Sequence, residues 1–284
     1  MNSKKMNEKG NVILIAILLI LICVCIIFAV MSFRNSNNEP VNGGGIISSG
    51  EISGESGSKT EIVKKDTEVL RAYKKALEEI YNNHTLPDGT ELFYEADDSG
   101  DSVFGALSDN MFAIADINSD GKEELIVSWT SAPVAGLICS VIGYDTTTKT
   151  YNQKYLGSPS TEFYDNGVIT NPASHNHGLA GDKLWPYSLY KYNKETDSYD
   201  LVAFVDAWDK ELAAKDYDGT PYPTDVDKSG DGVVYYIMSD GTYSSRKPIN
   251  QQDYNAWINQ YIGTAKKIEL SYKNLTEENI NNVI

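Results

Sequence analysis

Phe112-Ala113-Ile114-Ala115-Asp116-Ile117-Asn118-Ser119-Asp120-Gly121-Lys122-Glu123-Glu124-Leu125-Ile126-Val127-Ser128-Trp129 decides how this chain is to be read. Two short apolar runs rich in β-formers flank an acidic loop, so the loop joins two strands rather than two helices. Working outward, the chain from Met111 to about Val205 continues as short β-rich runs separated by turns, the pattern of an antiparallel meander. Upstream, Ile62, Val69, Leu70, Tyr73, Leu77, Ile80 and Tyr81 recur mostly at three- and four-residue steps, which gives a helix with one buried face. Downstream, Asn250 and Asp253 open a second helix with an apolar face of Tyr254, Trp257, Ile258, Tyr261 and Ile262, and Gly263 follows its end. Lys267–Tyr272 reads as a last strand and Thr276 as the cap of a short terminal helix. The fold class expected for residues 61–284 is therefore α+β, an antiparallel β-rich domain, meander or partly propeller-like, flanked by helices.

Inside the loop, oxygen-bearing side chains stand at positions one, three, five and nine, as Asp116, Asn118, Asp120 and Glu124, with Gly121 at six. That is the spacing by which a short loop wraps a hard cation, and the Lys122 carbonyl adds one more oxygen. Position twelve is Val127, where an EF-hand carries its bidentate glutamate, so an EF-hand is excluded. Without metal, the same residues would close an acidic turn by Asx hydrogen bonds. Residues 112–125 resemble the calcium-loop hairpins of FG-GAP/VCBS-type surface repeats, and the chain is similar to poorly characterised exported proteins of clostridia-like bacteria. The resemblance implies a structural Ca²⁺ in the loop.

A second acidic stretch, Asp225-Val226-Asp227-Lys228-Ser229-Gly230-Asp231-Gly232, offers Asp225, Asp227, Ser229 and Asp231 as a weaker Ca²⁺ site, with Asp216 and Asp218 near in sequence. Tyr144–Tyr151 and Tyr192–Tyr199 share the frame Tyr-x-x-x-Thr-x-(Ser/Thr)-Tyr, 48 residues apart, as two similar hairpins or the trace of a propeller blade. Signatures of catalysis are sparse. His175 and His177 would point the same way from an extended segment and Asp182 follows, but His-Glu-x-x-His and Gly-x-Ser-x-Gly are missing. Asp206 and Asp209 flank Trp208 on one segment, unlike the facing carboxylates of a glycosidase. Cys139 lies in the apolar run 136–142, a buried strand, which makes it a poor nucleophile.

Val12–Met31 is an unbroken apolar run of twenty residues, enough for a helix across a ~30 Å hydrocarbon core. Lys4, Lys5 and Lys9 precede it, which places the N-terminus in the cytoplasm and the remainder outside. The run is longer than the apolar core of a cleaved signal peptide and ends without a small-x-small site. Residues 1–34 thus read as a cytoplasmic stub and single-pass membrane anchor. Residues 35–60, rich in Gly and Ser, read as a flexible tether with a reach of about 25–30 Å.

The anchor region carries +3 and the tether −2 of the formal −16, which leaves −17 on residues 61–284. Nucleic acid is a poor partner for such a surface. Cys139 is the sole cysteine in the exported part, so no internal disulfide is available and bound Ca²⁺ is a natural substitute. Nineteen tyrosines and four tryptophans supply rings suited to stacking on sugars or proteins. The expectation is an extracellular, Ca²⁺-stabilised binding module for a surface protein or glycan. The alternative is a cell-envelope hydrolase using acidic residues or the His175/His177 region.

Overall fold

The computed structural model describes residues 67–97, 102–173 and 178–284. The expected anchor (1–34), the tether (35–60), Ile62 at the start of the first helix, and His175 and His177 lie outside the described residues. Helix α1 (Thr67–Asn83) buries Leu70, Tyr73, Ala76, Leu77 and Ile80, the one-sided stripe that a 3.6-residue period produces.

Two antiparallel sheets follow. The first contains β1 (Met111–Ala115), β2 (Glu124–Trp129), β3 (Ile138–Asp145) and β4 (Thr150–Gly157) in chain order. A short closing strand, β11 (Lys273–Asn274), pairs with the outer edge of β1. The second sheet is β5 (Glu162–Tyr164), β6 (Val168–Pro172), β7 (Tyr187–Asn193), β8 (Ser198–Asp209), β9 (Val233–Met238) and β10 (Pro248–Ile249), also in chain order. Both sheets are thus meanders, as the turn-separated β pattern predicts.

Side-chain alternation distributes the first sheet between two cores. Phe112, Leu125, Val127 and Trp129 face α1 with Tyr73, Leu77 and Ile80. Ala113, Ile126, Cys139 and Val141 face the other way, against Phe163, Ile169 and Tyr199 of the second sheet. All six residues of β2 are buried, because this strand is central in its sheet and covered on both faces. Trp129 sits wholly inside and its indole N–H donates to the Phe93 carbonyl at 2.9 Å, which ties the loop after α1 to the core.

Helix α2 (Gln251–Tyr261) starts at Asn250, whose side chain accepts from the Asp253 amide, and Gly263 follows with φ +49°, as expected. It lies against β9 by stacking Tyr254 on Tyr235, ring centroids 4.4 Å apart. Helix α3 (Glu277–Asn281) is capped by Thr276. The expected strand at Lys267–Tyr272 is displaced. Ile268, Leu270 and Tyr272 pack on the core between the sheets, Lys267 makes one bridge to Tyr164, and ladder pairing begins only at Lys273.

The repeated tyrosine frame forms two equivalent hairpins. Tyr144 pairs with Tyr151 across β3–β4, and Tyr192 with Tyr199 across β7–β8. The same frame position takes the left-handed conformation in both, Lys149 at φ 59° and Asp197 at φ 51°.

Candidate cation loop and adjoining groove

The acidic loop joins β1 to β2, as its flanks require. Ile117, fully buried between the sheets, fixes its start. Full burial of a side chain of that size stabilises by about 1.5–3 kcal/mol. Internal hydrogen bonds then close the turn. Asp116 accepts from the amides of Asp120 at 3.2 Å and Gly121 at 2.9 Å. Asn118 Oδ1 accepts from the Asp120 amide at 2.9 Å, and Asp120 Oδ1 from the Lys122 amide at 2.8 Å. Ser119 at φ 59° and Gly121 at φ +86° make the sharp bends.

Glu124 behaves differently from the other three. It is fully buried, and the ammonium of Lys154 stands 2.9 Å from its Oε1. Asn118 Nδ2 donates to the same oxygen at 3.1 Å, and the Ile117 amide donates to Oε2 at 3.2 Å. Lys154 reaches Asp197 Oδ1 as well, at 2.8 Å, and Asn152 Nδ2 donates to the Asp197 carbonyl at 3.0 Å. The Tyr192 hydroxyl spans the remaining gap, 2.5 Å from Asp197 Oδ1 and 3.2 Å from Asp120 Oδ2. Loop, β4 and the β7–β8 turn are thereby joined in one polar network.

A bulge delivers Lys154 to this position. Val141 pairs with Tyr155 and Ile142 with Gln153, so Lys154 is the extra residue of β4. A bulge re-aims a side chain in this way. Burial raises the Glu124 carboxyl to about 7, against the opposing pull of Lys154. Burial also works to lower the Lys154 ammonium, but Glu124 and Asp197 outweigh it and hold its pKa above the ordinary value. For Asp197, the desolvation that raises it is overcome by hydrogen bonds from Lys154 and Tyr192, and its pKa falls.

Tyr199 packs with Ile117 of the loop, with 8 % of its surface exposed, and among the described residues its buried hydroxyl has no hydrogen-bond partner. After burial, the charges that raise its pKa are those of Glu124, Tyr192, Asp120 and Asp116, so the hydroxyl lies within electrostatic reach of the loop carboxylates. A buried hydroxyl without a partner is rare and calls for a missing one, such as water or an ion. Asp116, Asn118, Asp120 and the Lys122 carbonyl are hard oxygen donors of the kind Ca²⁺ takes. Among the described residues no three His, Cys, Asp or Glu side chains converge as a ready metal cage. The reason is local: position three is an asparagine and Glu124 is turned onto Lys154.

Beside the network opens a groove of about 1120 Å³, between the loop, α1 and the β3–β4 turn. Tyr73, Tyr144, Tyr151 and the threonines of the turn line it, together with Lys154 and Asp197. Tyr73 and Tyr151 fix the walls, donating to the carbonyls of Glu123 at 2.6 Å and Ala72 at 2.7 Å.

The second acidic stretch is a turn organised by one residue. Asp227 accepts from the amides of Gly230 at 3.0 Å and Gly232 at 2.9 Å, while Asp225, Ser229 and Asp231 are exposed. Asp216 and Asp218 do not join them, because both are ion-paired to Arg246. Asp206 and Asp209 are both buried but separate: Asp209 pairs with Lys183 at 2.8 Å, and Asp206 lies under Tyr243. Cys139 is fully buried, as its apolar run predicts.

Lys154, Asp197, Tyr192 and Tyr199 are the site residues that the sequence reading does not single out. Three of them stand in the repeated tyrosine frame, which is the one signal that could have drawn attention to them. Comparison of the chain with protein-family models, curated proteins and solved structures gives no match.

Proposed function

We propose that this chain is a membrane-tethered, extracellular binding module, with a cytoplasmic stub and transmembrane anchor at 1–34, a tether at 35–60 and a Ca²⁺-stabilised β-rich domain that recognises a surface protein or glycan through the groove. The observation that favours binding over catalysis is the position of Lys154. Glu124 and Asp197 are carboxyls brought together from distant segments, yet both close on the same ammonium. In a glycosidase the space between such carboxyls holds the scissile bond or the attacking water. Here that space is filled, while the groove beside it stays open and offers hydroxyls and aromatic rings.

Ca²⁺ in the loop would be held by Asp116, Asn118, Asp120 and the Lys122 carbonyl, and would supply rigidity rather than chemistry. A ligand that binds only the folded state stabilises it in proportion to RT ln(1 + [L]/Kd). The detergent-solubilised full-length protein should therefore melt at a higher temperature in about 2 mM Ca²⁺ than in chelator, and Asp116→Ala with Asp120→Ala should remove the gain. An unchanged melting temperature would falsify the calcium reading.

The envelope hydrolase is the second reading, favoured by the Glu124 carboxyl raised to about 7 beside Asp197. Incubation with purified cell-wall glycan separates the two. Retention of protein without release of reducing ends supports the module. Release that disappears in Glu124→Gln supports the enzyme.

A further inference from the structure

Two cations have a claim on Glu124. One is the metal that the loop spacing suits, for which Glu124 stands at position nine. The other is the Lys154 ammonium, which holds Glu124 Oε1 at 2.9 Å and is itself almost wholly buried. Lys154 is aimed there by the bulge of β4 and has a second carboxylate, Asp197, at 2.8 Å. Tyr199, which shares the core between the sheets with Ile117 of the loop, keeps a buried hydroxyl with no partner among the described residues, an independent sign that something polar belongs near these carboxylates.

We propose that Lys154 is a built-in competitor for Ca²⁺ at the Asp116–Glu124 loop: it withholds Glu124 from the metal and so sets the affinity of the site low. The inference rests on the calcium reading above. Its physical basis is simple. Ca²⁺ affinity follows the net negative charge gathered around the ion, and a fixed ammonium sharing a ligand oxygen both cancels charge and repels the ion. With Lys154 in place the loop keeps roughly the 10⁻⁴–10⁻³ M affinity of extracellular modules. Such an affinity lets the site fill outside the cell and empty when external calcium falls. Without Lys154, Glu124 and Asp197 lose their ammonium partner, and Ca²⁺ becomes the one counter-charge that can hold Glu124 ionised in the loop.

The test is a titration of the full-length protein in detergent with Tb³⁺, followed by luminescence sensitised by Tyr192 and Tyr199, with Ca²⁺ as competitor. Lys154→Gln keeps an N–H donor for Glu124 but no charge, Lys154→Met removes both, and Lys154→Arg keeps the charge. The Gln and Met variants should bind Ca²⁺ at least roughly tenfold more tightly than the wild type, and the Arg variant like the wild type. Equal affinity in wild type and Lys154→Gln overturns the competitor role and leaves the calcium reading standing. Absence of binding in every variant overturns both. If the Met and Gln variants unfold in chelator, refolding at sub-millimolar Ca²⁺ supports the proposal, and failure to refold at about 10 mM overturns it.

Discussion

A Cβ on Gly143 would stand 2.5 Å from Lys154 Cε, so the buried lysine passes over β3 at the one residue of that stretch without a side chain. The contact couples a strand glycine to an ion pair. Lys154 has little freedom to move aside, because both its carboxylate partners are fixed. Gly143→Ala should overpack this point and lower stability by about 1–3 kcal/mol, measured by urea unfolding. Loss below about 0.5 kcal/mol would show that Lys154 is free to relocate.

Tyr199 predicts a separation between metal-free and metal-bound stability. Its hydroxyl is buried without a partner, and an unsatisfied group of this kind costs about 1–3 kcal/mol. Tyr199→Phe should leave the protein in chelator as stable as wild type, or more so. The Ca²⁺-dependent rise in melting temperature should shrink in the same variant. A clear loss of stability in chelator would mean that the hydroxyl already has a partner.

Asp206 gives a pH signature. Burial raises its pKa above the ordinary aspartate value, opposed by the Ala207 amide, the Tyr243 hydroxyl and the charge of Arg246. A carboxyl with a raised folded pKa contributes stability that is complete below its unfolded pKa and is lost as pH rises through the folded one. Asp206→Asn removes that titration. Its stability relative to wild type should be highest at neutral pH and decline toward pH 4. A difference that stays flat over this range, followed by thermal melts, would refute the assignment.

Cys139 should be inert. Its thiol is fully buried and pushed up to about 12, chiefly by desolvation, while Tyr272 donates a weak opposing contact. Thiolate is the reactive form. With Cys23 and Cys25 replaced by serine, the native protein should resist maleimide at pH 8 and react with one equivalent after unfolding. Rapid labelling of the native state would place Cys139 at a surface.

Much of the architecture depends on local order and was open to reading from the chain. The stripe of α1, the strands either side of the acidic loop, the caps at Asn250 and Thr276, and the paired tyrosine hairpins all follow from periodicity and turn chemistry within a few residues. The strand expected at Lys267–Tyr272 moved to Lys273, because the apolar side chains there gain more by filling the seam between the sheets than by extending the ladder.

Spacing along the chain is enough to place Asp116, Asn118, Asp120 and Glu124 in one loop between strands. That Glu124 meets Lys154 follows from the packing of the two sheets. Its partner lies 30 residues away on a bulged strand, and the second carboxylate comes from a turn in the other sheet. A bulge, a glycine that leaves room and two packed sheets must all be in place before Lys154 and Glu124 touch. No local pattern encodes that encounter, because long-range contacts are fixed by how complete faces pack.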